Sequence, residues 1–197
     1  MNFNRHITQA EFSPLAEFLR AEGAERRFER GERLAAQGGR SHRAGLVVQG
    51  AFRYLHADAA GGEHVVGYAF AGEFVGDYIS MCVDSPSQVT IEAMCGAAAL
   101  VVTGGRLEAF YRTDAAHERL GRTMAEHMLA EVYERLLERY AASPQQRYEA
   151  LLERCPDLLQ MVSLRELASY LGVRPEDFFS RNESQQVFAW SYNWGIP

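Results

Sequence analysis

The sequence contains no lysine. All 20 of its basic residues are arginine, and they face 26 acids for a net charge of −6. The bias is compositional and identifies no function. A negative total argues against indiscriminate nucleic-acid binding but leaves room for a local basic patch. Cysteine is sparse: Cys82, Cys95 and Cys155 are scattered and odd in number. There is no Cys-x-x-Cys pair and no Cys/His cluster of zinc spacing, so a disulfide-stapled miniprotein is excluded and no metal site is expected. The three thiols read as buried or idle groups in a reducing compartment. No apolar run approaches the roughly 18 residues of a membrane helix. The opening Met1-Asn2-Phe3-Asn4-Arg5-His6 leads into a mixed polar segment rather than the apolar stretch of a secretion signal. A cytoplasmic location with no membrane partner is the expectation.

What remains is an ordinary globular composition. The 197 residues are 47% apolar and 23% charged, which suits one large domain or two modest ones. Up to about residue 28 the chain reads as helical, with Phe12, Leu15, Ala16, Phe18 and Leu19 at near-helical spacing. Between Phe28 and Val102 the texture changes to short β-type runs: 46–48, 52–55, 65–68, 74–75, 89–91 and 99–102. Glycine pairs and Gly-polar steps separate them, the pattern of a sandwich or barrel. From Leu107 the period is helical again. The longest candidate helix spans about 114–141 and carries two apolar stripes. One is Leu120, Met124 and Met128; the other is Leu129, Val132, Leu136 and Tyr140. Two stripes need two surfaces. One can be the β-domain, and the other is most simply the same helix of a second subunit. A helix lying across its own domain with one wide face is the alternative.

Ser143-Pro144-Gln145-Gln146 predicts a capped helix start, with Ser143 as cap and Gln146 closing a capping box. We place the boundary there, giving units of 1–142 and 143–197. Ser163-Leu164-Arg165-Glu166 is a second capping box, and Gly172 is suited to end the short helix that follows. Pro175-Glu176-Asp177 then opens another helix. Helix, tight glycine turn, helix is the grammar of helix-turn-helix DNA binding. Leu164, Leu167, Leu171 and Val173 would form its small core. A plain αα-corner without a nucleic-acid role fits the same pattern.

Together these segments resemble the Crp/Fnr superfamily of bacterial transcription regulators, in a short form. The resemblance covers about 28–181. It rests on Phe28-Glu29-Arg30-Gly31-Glu32-Arg33-Leu34, on Gly45-Leu46-Val47-Val48-Gln49-Gly50-Ala51-Phe52-Arg53, on Phe74-Val75-Gly76-Asp77-Tyr78, and on Leu167-Ala168-Ser169-Tyr170-Leu171-Gly172-Val173-Arg174-Pro175-Glu176. It implies an α+β fold: an N-terminal cyclic-nucleotide-binding-like β-roll (jelly roll), a long dimerisation helix and a C-terminal helix-turn-helix. It implies no enzyme activity and no cofactor.

The departures from the family matter as much. Nucleotide-binding members carry a Gly-Glu pair and, about ten residues on, an Arg-Ser/Thr-Ala step whose arginine neutralises the cyclic phosphate. Here the first step is Gly76-Asp77-Tyr78, and the second reads Ser85-Pro86-Ser87-Gln88-Val89-Thr90 without arginine. The expected effector is therefore an unidentified small molecule other than cAMP or cGMP, with Gly76, Asp77, Tyr78, Ser87, Gln88 and Thr90 as candidate site residues. A vestigial pocket is the alternative, with those residues serving only turns and strands. The family's iron–sulfur branch needs cysteines near the N-terminus, and none precedes Cys82.

The reading head departs as well. Arg181 falls five residues after Glu176 rather than four, a swing of roughly 100° on a helix. No arginine follows Arg181; the tail instead alternates Phe188, Trp190, Tyr192 and Trp194. From Ser143 onward, five arginines face seven acids, for a net −2. Phosphate neutralisation supplies most DNA affinity, so the segment is weak on charge alone. The tail is either a divergent addition or the product of a changed reading frame.

The expectation is a homodimer, paired through Leu120, Met124, Met128, Leu129, Val132 and Leu136. It would bind double-stranded DNA through Arg165, Arg174, Glu176 and Arg181. The alternatives are a β-roll interaction module that has lost DNA binding and, last, a cupin-like enzyme.

Overall fold

The computed structural model describes residues 3–4 and 10–173. A 3-10 turn leads into helix α1 (Ser13–Glu22). Eight strands follow: β1 (Ala24–Phe28), β2 (Arg33–Ala35), β3 (Arg43–Gln49), β4 (Ala51–Ala57), β5 (Glu63–Phe70), β6 (Phe74–Gly76), β7 (Thr90–Ala93) and β8 (Ala97–Thr103). Helix α2 (Tyr78–Cys82) lies between β6 and β7. The helices α3 (Gly104–Tyr111), α4 (Ala115–Ala141), α5 (Pro144–Arg154) and α6 (Leu164–Leu171) complete the described chain. All strand pairing is antiparallel, in two sheets ordered β1-β8-β3-β6 and β2-β7-β4-β5.

The six expected β-runs are strands. They are more uniformly apolar than a half-exposed strand requires, because both faces of each sheet are covered in part. Neighbours along β3 show this: Val47 enters the core between the sheets, while Leu46 joins the helical layer. On β5, Ala69 faces inward, while Tyr68 and Phe70 face the C-terminal helices. The inter-sheet core gathers Phe28, Leu34, Phe52, Val75, Ile91 and Val101. On one outer side Phe12, Leu15 and Leu19 of the N-terminal segment pack with Leu107, Leu120 and Met124. On the other, Leu55, Val65 and Tyr68 pack with Tyr148, Leu151, Leu158 and Leu167.

One reading is corrected. Residues 24–28, taken as a continuation of the first helix, form edge strand β1 against β8. Only Phe28 of β1 is buried, so its polar side chains give no alternating pattern. Leu164, Leu167, Leu171 and Val173 pack in one core cluster, which is continuous with the outer face of β4 and β5. The apolar side chains that β5 turns outward need this cover.

The local signals hold. Ser143 and Ser163 both close capping boxes, with Gln146 and Glu166. Gly172 ends α6 in the left-handed conformation, φ 67°. Among the described residues no helix is long and apolar enough to cross a membrane. Arg174, Glu176, Arg181 and the aromatic tail lie outside the described residues.

Candidate ligand cavity and interfaces

The strand β6 ends at Gly76, whose φ of 155° and close approach to the Arg43 carbonyl leave no room for a side chain. The chain turns there and delivers Asp77 to the start of α2. Asp77 is the cap of that helix: Oδ1 accepts from the Ser80 N–H (3.3 Å). Its other oxygen, Oδ2, lies 2.6 Å from Ser87 Oγ and accepts from the Gln88 N–H (3.3 Å). Asp77 thus touches the segment ten residues on directly. Its chemistry is a carboxylate closed onto the protein's own donors.

The structure separates the six candidate effector residues. Gly76, Asp77 and Tyr78 line a cavity of about 560 Å³ between the β-roll and α4. Ser87, Gln88 and Thr90 are not among its lining residues. The Gln88 carbonyl lies 2.8 Å from His56 Nδ1, and Thr90 Oγ1 accepts from the Gln37 N–H.

The cavity walls are mostly carbon and sulfur, from residues such as Phe74, Met81, Leu107, Met124 and Met128. Its phenols are engaged or buried. Tyr54 Oη accepts from the Gly76 N–H (3.1 Å), and Tyr78 Oη donates to the Gly121 carbonyl of α4 (3.1 Å). Burial raises the pKa of Tyr54, Tyr78 and Tyr111 above the ordinary phenol value, so all three stay neutral. At one end of the cavity, Glu131 and Arg135 of α4 pair at 3.6 Å.

Sequence reasoning missed this ion pair, although a signal was present. Met124, Met128, Glu131 and Arg135 follow a 4-3-4 spacing, so the stripe toward the β-roll continues beyond its last apolar member. Tyr54 and Tyr111 were missed because no local pattern marks them.

The six residues expected at a dimer interface also divide. Leu120 and Met124 are buried against the chain's own helices and β-roll, and Met128 is partly covered there. Leu129, Val132 and Leu136 are exposed, together with Tyr133, Leu137 and Tyr140. Arg165 is exposed on α6. Among the described residues, no group of three or more His, Cys, Asp and Glu side chains is gathered in a way that could hold a metal.

The eight-stranded roll has counterparts among known proteins. The cyclic nucleotide-binding domain family matches residues 25–114. Residues 25–114 are a β-roll of the cyclic nucleotide-binding type. Solved structures extend the likeness beyond the roll. CLP, the c-di-GMP responsive global regulator of Xanthomonas campestris, shares 18% identity at a TM-score of 0.64, over 87% of this chain and 90% of that one. FixK2 of Bradyrhizobium japonicum shares 18% at 0.67, over 83% and 85%. OCPA-complexed CprK shares 16% at 0.63, over 87% and 83%. All three are Crp/Fnr-type regulators, and at these identities the likeness is one of fold. A comparison with curated protein sequences found no match. In this roll Ser87 and Gln88 stand against Asp77, in the stretch where nucleotide-binding members carry an arginine.

Proposed function

We propose that the chain is a homodimeric, non-enzymatic transcription regulator of Crp/Fnr type. An unidentified small effector, not cAMP, would occupy the cavity between the roll and α4. Its occupancy would set the pose of a C-terminal DNA-reading unit. The observation that carries the reading is the double service of α4. Met124 and Met128 close the cavity and the more exposed Leu129 and Val132 border it, while Leu136, Leu137 and Tyr140 leave an apolar face open for a second copy. An effector that binds two arrangements of these helices unequally shifts their populations. Arg165, Arg174 and Arg181 are the proposed phosphate or base contacts, and Glu176 the proposed reader of a cytosine amino group. The c-di-GMP response of CLP and the OCPA complex of CprK support control by a small molecule.

A mobility-shift assay with mixed double-stranded DNA tests the reading. Binding should weaken as salt rises and weaken further in Arg174→Ala. A second reading, a β-roll interaction module without DNA binding, is favoured by the net −2 of residues 143–197. Absence of a shift at low salt, with and without metabolite extract, selects it.

A further inference from the structure

We propose that the cavity takes an uncharged, largely apolar small molecule. This deepens the reading above and rests on the cavity being the effector site. Three observations carry it.

The wall already carries a negative group of the chain itself. Asp77 meets Ser80 N–H through one oxygen, and Ser87 Oγ and Gln88 N–H through the other. A phosphate or carboxylate entering here would meet a carboxylate at close range, and like charges repel strongly away from bulk water.

The remaining charges sum against an anion. Among the described residues Asp77, Glu131 and Arg135 are the Asp, Glu, Lys or Arg residues on the wall, a formal total of −1. Arg135 is already engaged by Glu131 at 3.6 Å, by the Val66 carbonyl at 3.4 Å and by Tyr170 Oη at 3.2 Å. Its charge is balanced in part by Glu131, which lowers its pull on an anion.

The volume and chemistry of the remaining wall suit an apolar body. About 560 Å³ falls within the usual range for small-molecule sites. Thioether and aromatic side chains fit irregular apolar shapes closely. The polar wall groups Tyr54 and Tyr78 already bond to protein, while the buried Tyr68 Oη has no partner among the described residues, so one polar atom on an otherwise apolar ligand suffices.

The uncharged dye Nile red tests the proposal on the full-length protein, without DNA. Dye emission should rise saturably to one dye per protomer. Below their aggregation concentrations, 1-decanol should displace the dye, while decanoate and cAMP should not. Met128→Trp adds bulk inside the cavity and should abolish binding. Ile79→Glu lies at the exposed rim, where it does not threaten folding, and should weaken binding at least about tenfold by removing one apolar contact. Leu159→Glu removes an exposed apolar side chain away from the cavity and should change nothing. Absence of saturable binding overturns the proposal. So does displacement by decanoate or cAMP as effective as that by decanol, or loss of binding in Leu159→Glu. A failed DNA shift alongside these expected dye results would remove the regulator reading and leave the ligand class standing.

Discussion

Arg53 and Glu166 form an ion pair that fastens β4 to the first turn of α6. The same guanidinium binds Glu92 of β7 at 2.6 Å, so one arginine serves two carboxylates. Arg53→Ala would leave both acids close together in a partly dry site. The expected loss is on the order of 1–3 kcal/mol, between an exposed and a buried pair. Chemical denaturation measures it, and Glu166→Gln should cost less because only one contact is weakened.

Acid should loosen the same junction. Burial works against the charge on Glu166, but the Ser163 N–H and hydroxyl and the Arg53 guanidinium outweigh it and hold the carboxyl below its ordinary value of 4.5. A depressed carboxyl contributes stability that is complete above the unfolded-chain value and lost as pH falls through the folded one. The Val65 N–H, which donates to Ser169 Oγ of α6, reports the docking. Its hydrogen-exchange protection should decline below about pH 4.5 relative to that of Ile91 in the central strand β7. Constant relative protection down to pH 3 would count against the coupling.

Asp77→Ala removes a helix cap and its links to Ser87 and Gln88 in one change. Loss of a cap alone costs about 1 kcal/mol, and the additional contacts should bring the total to roughly 2 kcal/mol. Thermal unfolding of the variant checks this. A change within a few tenths of a kcal/mol of zero would mean that water replaces the carboxylate at no cost.

Gly172 has φ 67°, and a Cβ there would lie 2.7 Å from Arg139 Nη2. Gly172→Ala should therefore destabilise the end of α6 by about 1 kcal/mol or more. Urea titration gives the value, and Gly105→Ala, where a Cβ meets nothing, serves as control.

The uncovered face of α4 predicts a concentration-dependent dimer. Leu136→Glu places charge on that face without touching the cavity wall. Sedimentation velocity should show a dimer for the wild type and a monomer for the variant. A wild-type monomer at high concentration would withdraw the assembly from the proposed function.

Much of this fold was legible in the sequence wherever a local rule governed it. Ser143 and Ser163 announced their helices because capping boxes span four residues, and Gly172 because αL caps select glycine. The six apolar strands were visible as runs. Strands β1 and β2 were not: the former is a polar edge, and the latter has three residues. The site was half legible. Gly76 and Asp77 stood out through the resemblance, whereas the α4 wall emerges only once a helix some fifty residues later packs on the roll. The Arg53–Glu166 pair bridges still more distant segments, and no periodicity marks it.

Strand β5 lies at the edge of its sheet. Its Val66, Gly67 and Tyr68 line the cavity, while the Val65 N–H and Val66 carbonyl bond to Ser169 and Arg135. One edge strand thus both lines the cavity and carries the docking of α6. On the proposed reading, a displacement of β5 at the cavity reaches α6 with no element between them.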